Sequence, residues 1–129
     1  MTREEFIEAL EEKGYSYGIE GDKIVVTYRG YVDLESLTSL PPGVIFEIPL
    51  DVYLESLTSL PAGVEFRNEG SVFLNSLTRI PSDFQFKNEG DVYLESLVGG
   101  WFKYWSGNIE GIDSKRLLNK MISLGLFDR

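Results

Sequence analysis

The side chains best placed for chemistry are carboxylates that recur every twenty residues: Glu35, Glu55 and Glu95, with Asn75 at the fourth equivalent place. Stacked carboxylates about 5 Å apart repel one another, a standing cost unless a basic partner or counterions offset it. Three uses follow. A pair could serve glycoside hydrolysis as acid and base. A cluster could hold Ca²⁺, which also needs converging carbonyl oxygens, and nothing in the chain resembles a calcium loop. A row could receive Lys or Arg side chains. The row exists because the surrounding unit repeats, so catalysis is the weakest of the three. Two positions before each of these residues stands Asp33, Tyr53, Phe73 or Tyr93. Lying between inward apolar residues, these point outward, either as a recognition stripe or as cross-strand stacking that only steadies a sheet. Carboxylates and rings side by side would suit cationic side chains.

Histidine and cysteine are absent. That removes the commonest general base, the thiol nucleophile, the thiolate zinc site and any disulfide framework. The serines at Ser36, Ser56, Ser76 and Ser96 lack a basic partner, and are expected at a tight inward bend with the hydroxyl on backbone. Asn68, Asn88 and Asn108 are expected to stack and satisfy bend amides and carbonyls. No metal and no cofactor is expected, and the chain is not expected to be an enzyme.

These residues are positioned by a unit cut every twenty residues from Tyr31: YVDLESLTSLPPGVIFEIPL, DVYLESLTSLPAGVEFRNEG, SVFLNSLTRIPSDFQFKNEG and DVYLESLVGGWFKYWSGNIE. Val-x-Leu and Val-x-Phe alternate with period two, so each reads as a short strand with one inward face. Pro after position ten and Gly at positions thirteen or twenty break the chain between them. One unit is too small to bury its own apolar side, and stacking like units solves that.

The expectation is a mainly β, single-domain, right-handed β-solenoid of about four to five coils with two short strands each. Residues 1–30 would form an N-terminal helix and strand cap, 31–98 the repeats, and 99–129 an aromatic segment and C-terminal helix cap. Thr2 with Glu5 fits a capping box for a helix over about 3–13, with Phe6, Ile7 and Leu10 as its apolar face and Gly14 as its stop. The stretch DKIVVTYRG reads as a strand leading into the first coil. At the other end Asp113 or Ser114 would open a helix through about Leu124, burying Leu117, Leu118, Met121 and Ile122. Trp101 and Trp105 interrupt the repeat and are read as a core cap or an aromatic anchor for a partner or a second copy.

Charge narrows the partners. The net charge is −9, unevenly spread: −3 over residues 1–30, −8 over 31–100 and +2 over 101–129. Such repeats repel phosphate backbones, so direct nucleic-acid binding is not expected and a basic protein partner is. No run is long and apolar enough for a membrane span and the N-terminus carries no apolar leader core, so a cytoplasmic protein, of a bacterium or an infected host cell, is expected. Homo-oligomers could form where Lys115, Arg116 and Lys120 of the C-terminal helix, or the aromatic segment beside it, meet a second copy.

The unit resembles short leucine-rich repeats, in particular bacterial forms with a Leu-x-x-Leu-Pro core. The core stands here as Leu37-Thr38-Ser39-Leu40-Pro41, Leu57-Thr58-Ser59-Leu60-Pro61 and Leu77-Thr78-Arg79-Ile80-Pro81. The match covers about residues 31–98 and departs from the family's strand motif, since Asn68 and Asn88 sit in Phe-x-Asn-x-Gly just before Val-x-Leu. Phe-x-Asn-x-Gly units are also similar to solenoid repeats of uncharacterised proteins from gut bacteria and their phages. The resemblance implies a recognition scaffold, and the outward columns together with the aromatic break would have it bind a partner through Asp33, Tyr53, Phe73, Tyr93, Glu35, Glu55, Glu95, Trp101 and Trp105. A second reading is a small acidic phage-type inhibitor that occupies the nucleic-acid groove of a host or defence protein; a carboxylate hydrolase is the third.

Overall fold

The computed structural model describes residues 1–98 and 114–128. Trp101 and Trp105 lie outside the described residues, as does Asn108. The chain opens with α1 (Arg3–Glu12), then β1 (Tyr17–Glu20), β2 (Lys23–Val26), β3 (Val32–Asp33), β4 (Val44–Phe46), β5 (Val52–Tyr53), β6 (Glu65–Phe66), β7 (Val72–Phe73) and β8 (Val92–Tyr93). Two helices follow, α2 (Glu95–Val98) and α3 (Ser114–Ser123). The strands form two small open sheets, ordered β1-β2-β4-β6 and β3-β5-β7-β8.

The register carries the twenty-residue period of the sequence. Val32 pairs with Val52, Val52 with Val72 and Val72 with Val92, all parallel. Phe46 pairs with Phe66 in the other sheet. Like residues therefore lie beside like. Phe46, Phe66 and Phe86 form a buried column of near-parallel rings, 5.5 and 5.9 Å between centroids. Leu34, Leu54 and Leu74, with Val32, Val52 and Val72, are fully buried in the same core.

The chain leaves each Val strand by a tight turn. The Leu37, Leu57, Leu77 and Leu97 amides donate to the carbonyls of Leu34, Leu54, Leu74 and Leu94, each at 3.1 Å. Both leucines of a turn can then face the core, and the two central residues face out. The serines sit at the second central place. Ser36 and Ser96 are exposed, and Ser56 and Ser76 are half-buried. The expected inward serine is thus corrected: inward room is taken by the leucines on either side.

The N-terminal helix behaves as its capping signals predict, whereas Asp113, the candidate cap of α3, lies outside the described residues. Thr2 and Glu5 form a reciprocal capping box on α1. Gly14 follows with φ 73°, its amide donating to the Glu11 carbonyl while that of Tyr15 donates to Leu10, the glycine-terminated stop of a helix. Phe6 and Leu10 are fully buried, as are Leu118 and Ile122 of α3 to within a few percent. Two features differ from expectation. Residues before β2 form β1, an antiparallel hairpin with β2 through a two-residue Gly21-Asp22 loop with Gly21 at φ 65°. Conversely, residues 84–86 form no strand. The Asn119 side chain of α3 reaches Phe86 instead, accepting from its amide at 2.8 Å and donating to its carbonyl at 2.9 Å.

Candidate functional site

The second sheet places the outward residues of successive units side by side. Tyr53, Phe73 and Tyr93 are half-buried and form one stack: 4.6 Å and 9° between the first two rings, 4.5 Å and 3° between the next. Tyr31 closes its near end edge-on against Tyr53 at 5.8 Å and 85°. Phe73 has both ring faces covered by neighbours. Cations are drawn to ring faces, where the quadrupole is negative, and not to edges. Phe73 therefore offers only its edge outward, and any attraction for a cation there must come from carboxylates.

Those carboxylates flank the stack in two columns, and the structure divides them by what they already hold. In the column at position five, Glu55 accepts from the Asn75 backbone amide at 3.5 Å and from Asn75 Nδ2 at 3.2 Å. Asn75 Oδ1 in turn accepts from the Glu95 amide at 3.0 Å. In the column at position one, Asp51 Oδ1 accepts from the Ser71 amide at 2.7 Å, and Ser71 Oγ from the Asp91 amide at 3.1 Å. The second and third units thus each clasp the next with a side chain at both ends of the two-residue strand, whereas the first unit, with Tyr31 and Glu35 at these places, does not. Between the clasps, ladder bonds run onward, as from Val52 to the Ser71 carbonyl at 2.9 Å and Leu54 to Phe73 at 3.0 Å. Asp33 accepts from the Glu35 amide at 3.1 Å. The Glu35, Asp91 and Glu95 carboxylates have no hydrogen-bond partner among the described residues, and Glu35 and Glu95 are exposed.

At position one the Asp51 and Ser71 side chains hold the sheet as much as position five does. The sequence carries a signal for this: a short acceptor side chain just before Val52 and Val72, where the next unit's amide needs a partner.

The electrostatics differ between the two outward faces. Asp33, Glu35, Asp51, Glu55, Asp91 and Glu95 flank the ring stack, and positions one to seven of these units contain no basic residue. Burial first, then the nearby Asp51 carboxylate that accepts its hydroxyl at 3.3 Å, raises the Tyr53 phenol above its usual pKa. The outer side of the first sheet is charge-paired. Arg67 lies 3.5 Å from Glu47 and 2.7 Å from Glu65 Oε2, a charge contact rather than an aligned hydrogen bond, and Lys87 donates to Glu65 at 3.2 Å.

Asn68 and Asn88 are almost fully buried and structural in placement. Asn68 Nδ2 donates to the carbonyls of Leu50 and Ser71, and Asn88 Nδ2 to those of Gly70, Gly90 and Asp91, all within 3.2 Å. Lys120 of α3 is exposed, as is Arg116. Among the described residues no group of three or more acidic side chains converges to hold a metal ion, and no helix is long and apolar enough to cross a membrane. Compared with known proteins, the chain matches no family model, no curated protein and no solved structure.

Proposed function

We propose that the chain is a non-enzymatic recognition scaffold, a leucine-rich-like β-solenoid whose second-sheet face binds a basic protein partner. One observation carries the reading: the charge on that face is one-sided. Six carboxylates surround the ring stack without a basic residue, whereas the first sheet's outer face neutralises its own charges. A surface left unpaired in this way steers and orients a cationic partner. The ring edges add an apolar strip between the carboxylates.

The test is affinity for a partner captured from host lysate and then purified. Glu35→Gln with Glu95→Gln should weaken binding at least about tenfold, because each removes a carboxylate that holds nothing else. Tyr53→Ala, Phe73→Ala and Tyr93→Ala together should weaken it further while also loosening the sheet. Binding that survives both sets of changes sinks this face. The same one-sided acidity favours the second reading, an acidic inhibitor seated in a nucleic-acid groove of a host protein. That reading requires binding to fall steeply between 50 mM and 200 mM salt and nucleic acid to compete for the partner.

A further inference from the structure

Side chains cover outward backbone groups at two places. The Tyr15 hydroxyl accepts from the Asp33 amide at 3.0 Å and reaches the Asp33 carbonyl at 3.5 Å, covering the edge of β3. Asn119 does the same for Phe86. The outer edge of β1 has no such cover.

Its geometry follows from the hairpin register. The Thr27 amide donates to the Ser16 carbonyl at 2.9 Å, and Tyr17, Gly18, Ile19 and Glu20 face Val26, Val25, Ile24 and Lys23. Bonded and non-bonded pairs alternate along an antiparallel ladder, so Ser16, Gly18 and Glu20 bond toward β2. The backbone groups of Tyr17 and Ile19 point away from the sheet, and no partner meets them among the described residues. On the same strand Ile19 is 49% exposed, although its partner Ile24 is fully buried. An unblunted edge beside an exposed β-branched side chain is a template for another strand.

Helix α1 is tied to both ends of β1. Arg3 donates to the Gly21 carbonyl at 3.2 Å, and Tyr17 donates to Glu11 at 2.7 Å. The helix therefore runs lengthwise and antiparallel to β1. Eight residues of helix cover about 12 Å, which matches four residues of strand at about 13 Å. Phe6 and Leu10 face the core, and the helical period carries Ile7 and then Glu11 and Glu4 around toward the strand edge, with Glu8 on the face opposite Phe6 and Leu10. Glu4 and Glu11 are exposed.

We propose that the outer edge of β1 is a strand-addition site that takes an extended, basic segment of a partner protein. Main-chain bonds to Tyr17 and Ile19 hold the segment, and Glu4 and Glu11 select its Lys or Arg side chains. A second copy is disfavoured as occupant, because antiparallel pairing of two β1 edges brings two glutamate-lined helices together. This site is separate from the second-sheet face and stands or falls without it.

The probe is a six-residue peptide alternating lysine and valine, added to the full chain. Amide hydrogen exchange should slow at Tyr17 and Ile19. Ile19→Pro removes an outward donor and no internal ladder bond, so it should weaken the peptide about tenfold. Ile19→Lys should weaken it as much by charging the edge, and Ile19→Thr should bind within about threefold because the backbone does the recognition. A peptide alternating glutamate and valine should not bind. The proposal is overturned if the Tyr17 and Ile19 amides exchange unchanged, if Ile19→Lys binds like the wild type, or if the acidic peptide binds equally. Exchange that slows with protein concentration alone would make a second copy the occupant and overturn the basic-partner assignment.

Discussion

Glycine at 70 and 90 is required by distance. A Cβ on Gly90 would lie 2.5 Å from the Gly70 carbonyl carbon and 2.7 Å from the Ser71 amide nitrogen, and one on Gly70 would lie 2.6 Å from the Leu50 carbonyl carbon. Backbone cannot yield as a flexible side chain can. Gly90→Ala should therefore cost about 1–3 kcal/mol in urea unfolding, against a much smaller change for Gly18→Ala, where nothing lies within 4 Å. Asn119 is the second residue with a sharp expectation. Its amide meets both the N–H and the C=O of Phe86, a residue only 2% exposed. Asn119→Ala leaves two buried backbone groups unpaired and should cost about 2–4 kcal/mol. A cost equal to that of Lys120→Ala would show that water replaces the amide. The motif reading could not reach Asn119, because its partner is set by how α3 docks, thirty-three positions from Phe86.

At the scale of elements, these strands are too short to stand alone. A two-residue strand offers few ladder bonds, and the side-chain clasps at Asp51, Ser71, Glu55 and Asn75 lengthen the β5–β7 and β7–β8 ladders on both sides. The first sheet uses charge instead. Burial alone would raise the Glu65 carboxyl, but the Lys87 bond and the charges of Lys87, Arg67 and Lys23 together hold it below the ordinary carboxylate value. A lowered pKa in the fold means that this stabilisation is present above the unfolded value and is lost as pH falls through the folded one. Glu65→Gln should thus flatten the acid limb of the stability curve below about pH 4.5, by ~0.2–1 kcal/mol for partly exposed pairs. An unchanged acid limb would assign the acid sensitivity to other carboxylates. Elements with local signals were legible in the sequence: the α1 capping box, the Gly14 and Gly125 stops, and the Val strands. The hairpin of β1 was missed, although Gly21-Asp22 between YGIE and KIVV is a two-residue hairpin signal.

For the whole molecule, the parallel pairing of Val32, Val52, Val72 and Val92 predicts tolerance to loss of one period. Deleting residues 51–70 joins Leu50 to Ser71 and keeps every column aligned. Such a chain should fold with native-like far-UV circular dichroism and a lower midpoint in urea. Deleting only residues 51–60 shifts the columns by half a period, and should abolish cooperative unfolding. Equal behaviour of the two deletions would mean that the register is not what holds the molecule together.

The sequence by itself determined the period, the inward columns and the parts of the chain that bury them. Those properties follow from alternation and spacing along one strand, which every unit states again. It also determined that the repeats are acidic. Only the tertiary structure decided which carboxylates are already engaged, because Glu55 and Asp51 are occupied by amides of the next unit while Glu35 and Glu95 are not. It decided, too, that Phe73 shows its edge rather than its face, since stacking depends on the spacing between units. And it decided that the free edge of the first sheet belongs to β1 beside a glutamate-rich helix, an arrangement set by how α1 folds back over the hairpin and by no residue pattern within either element.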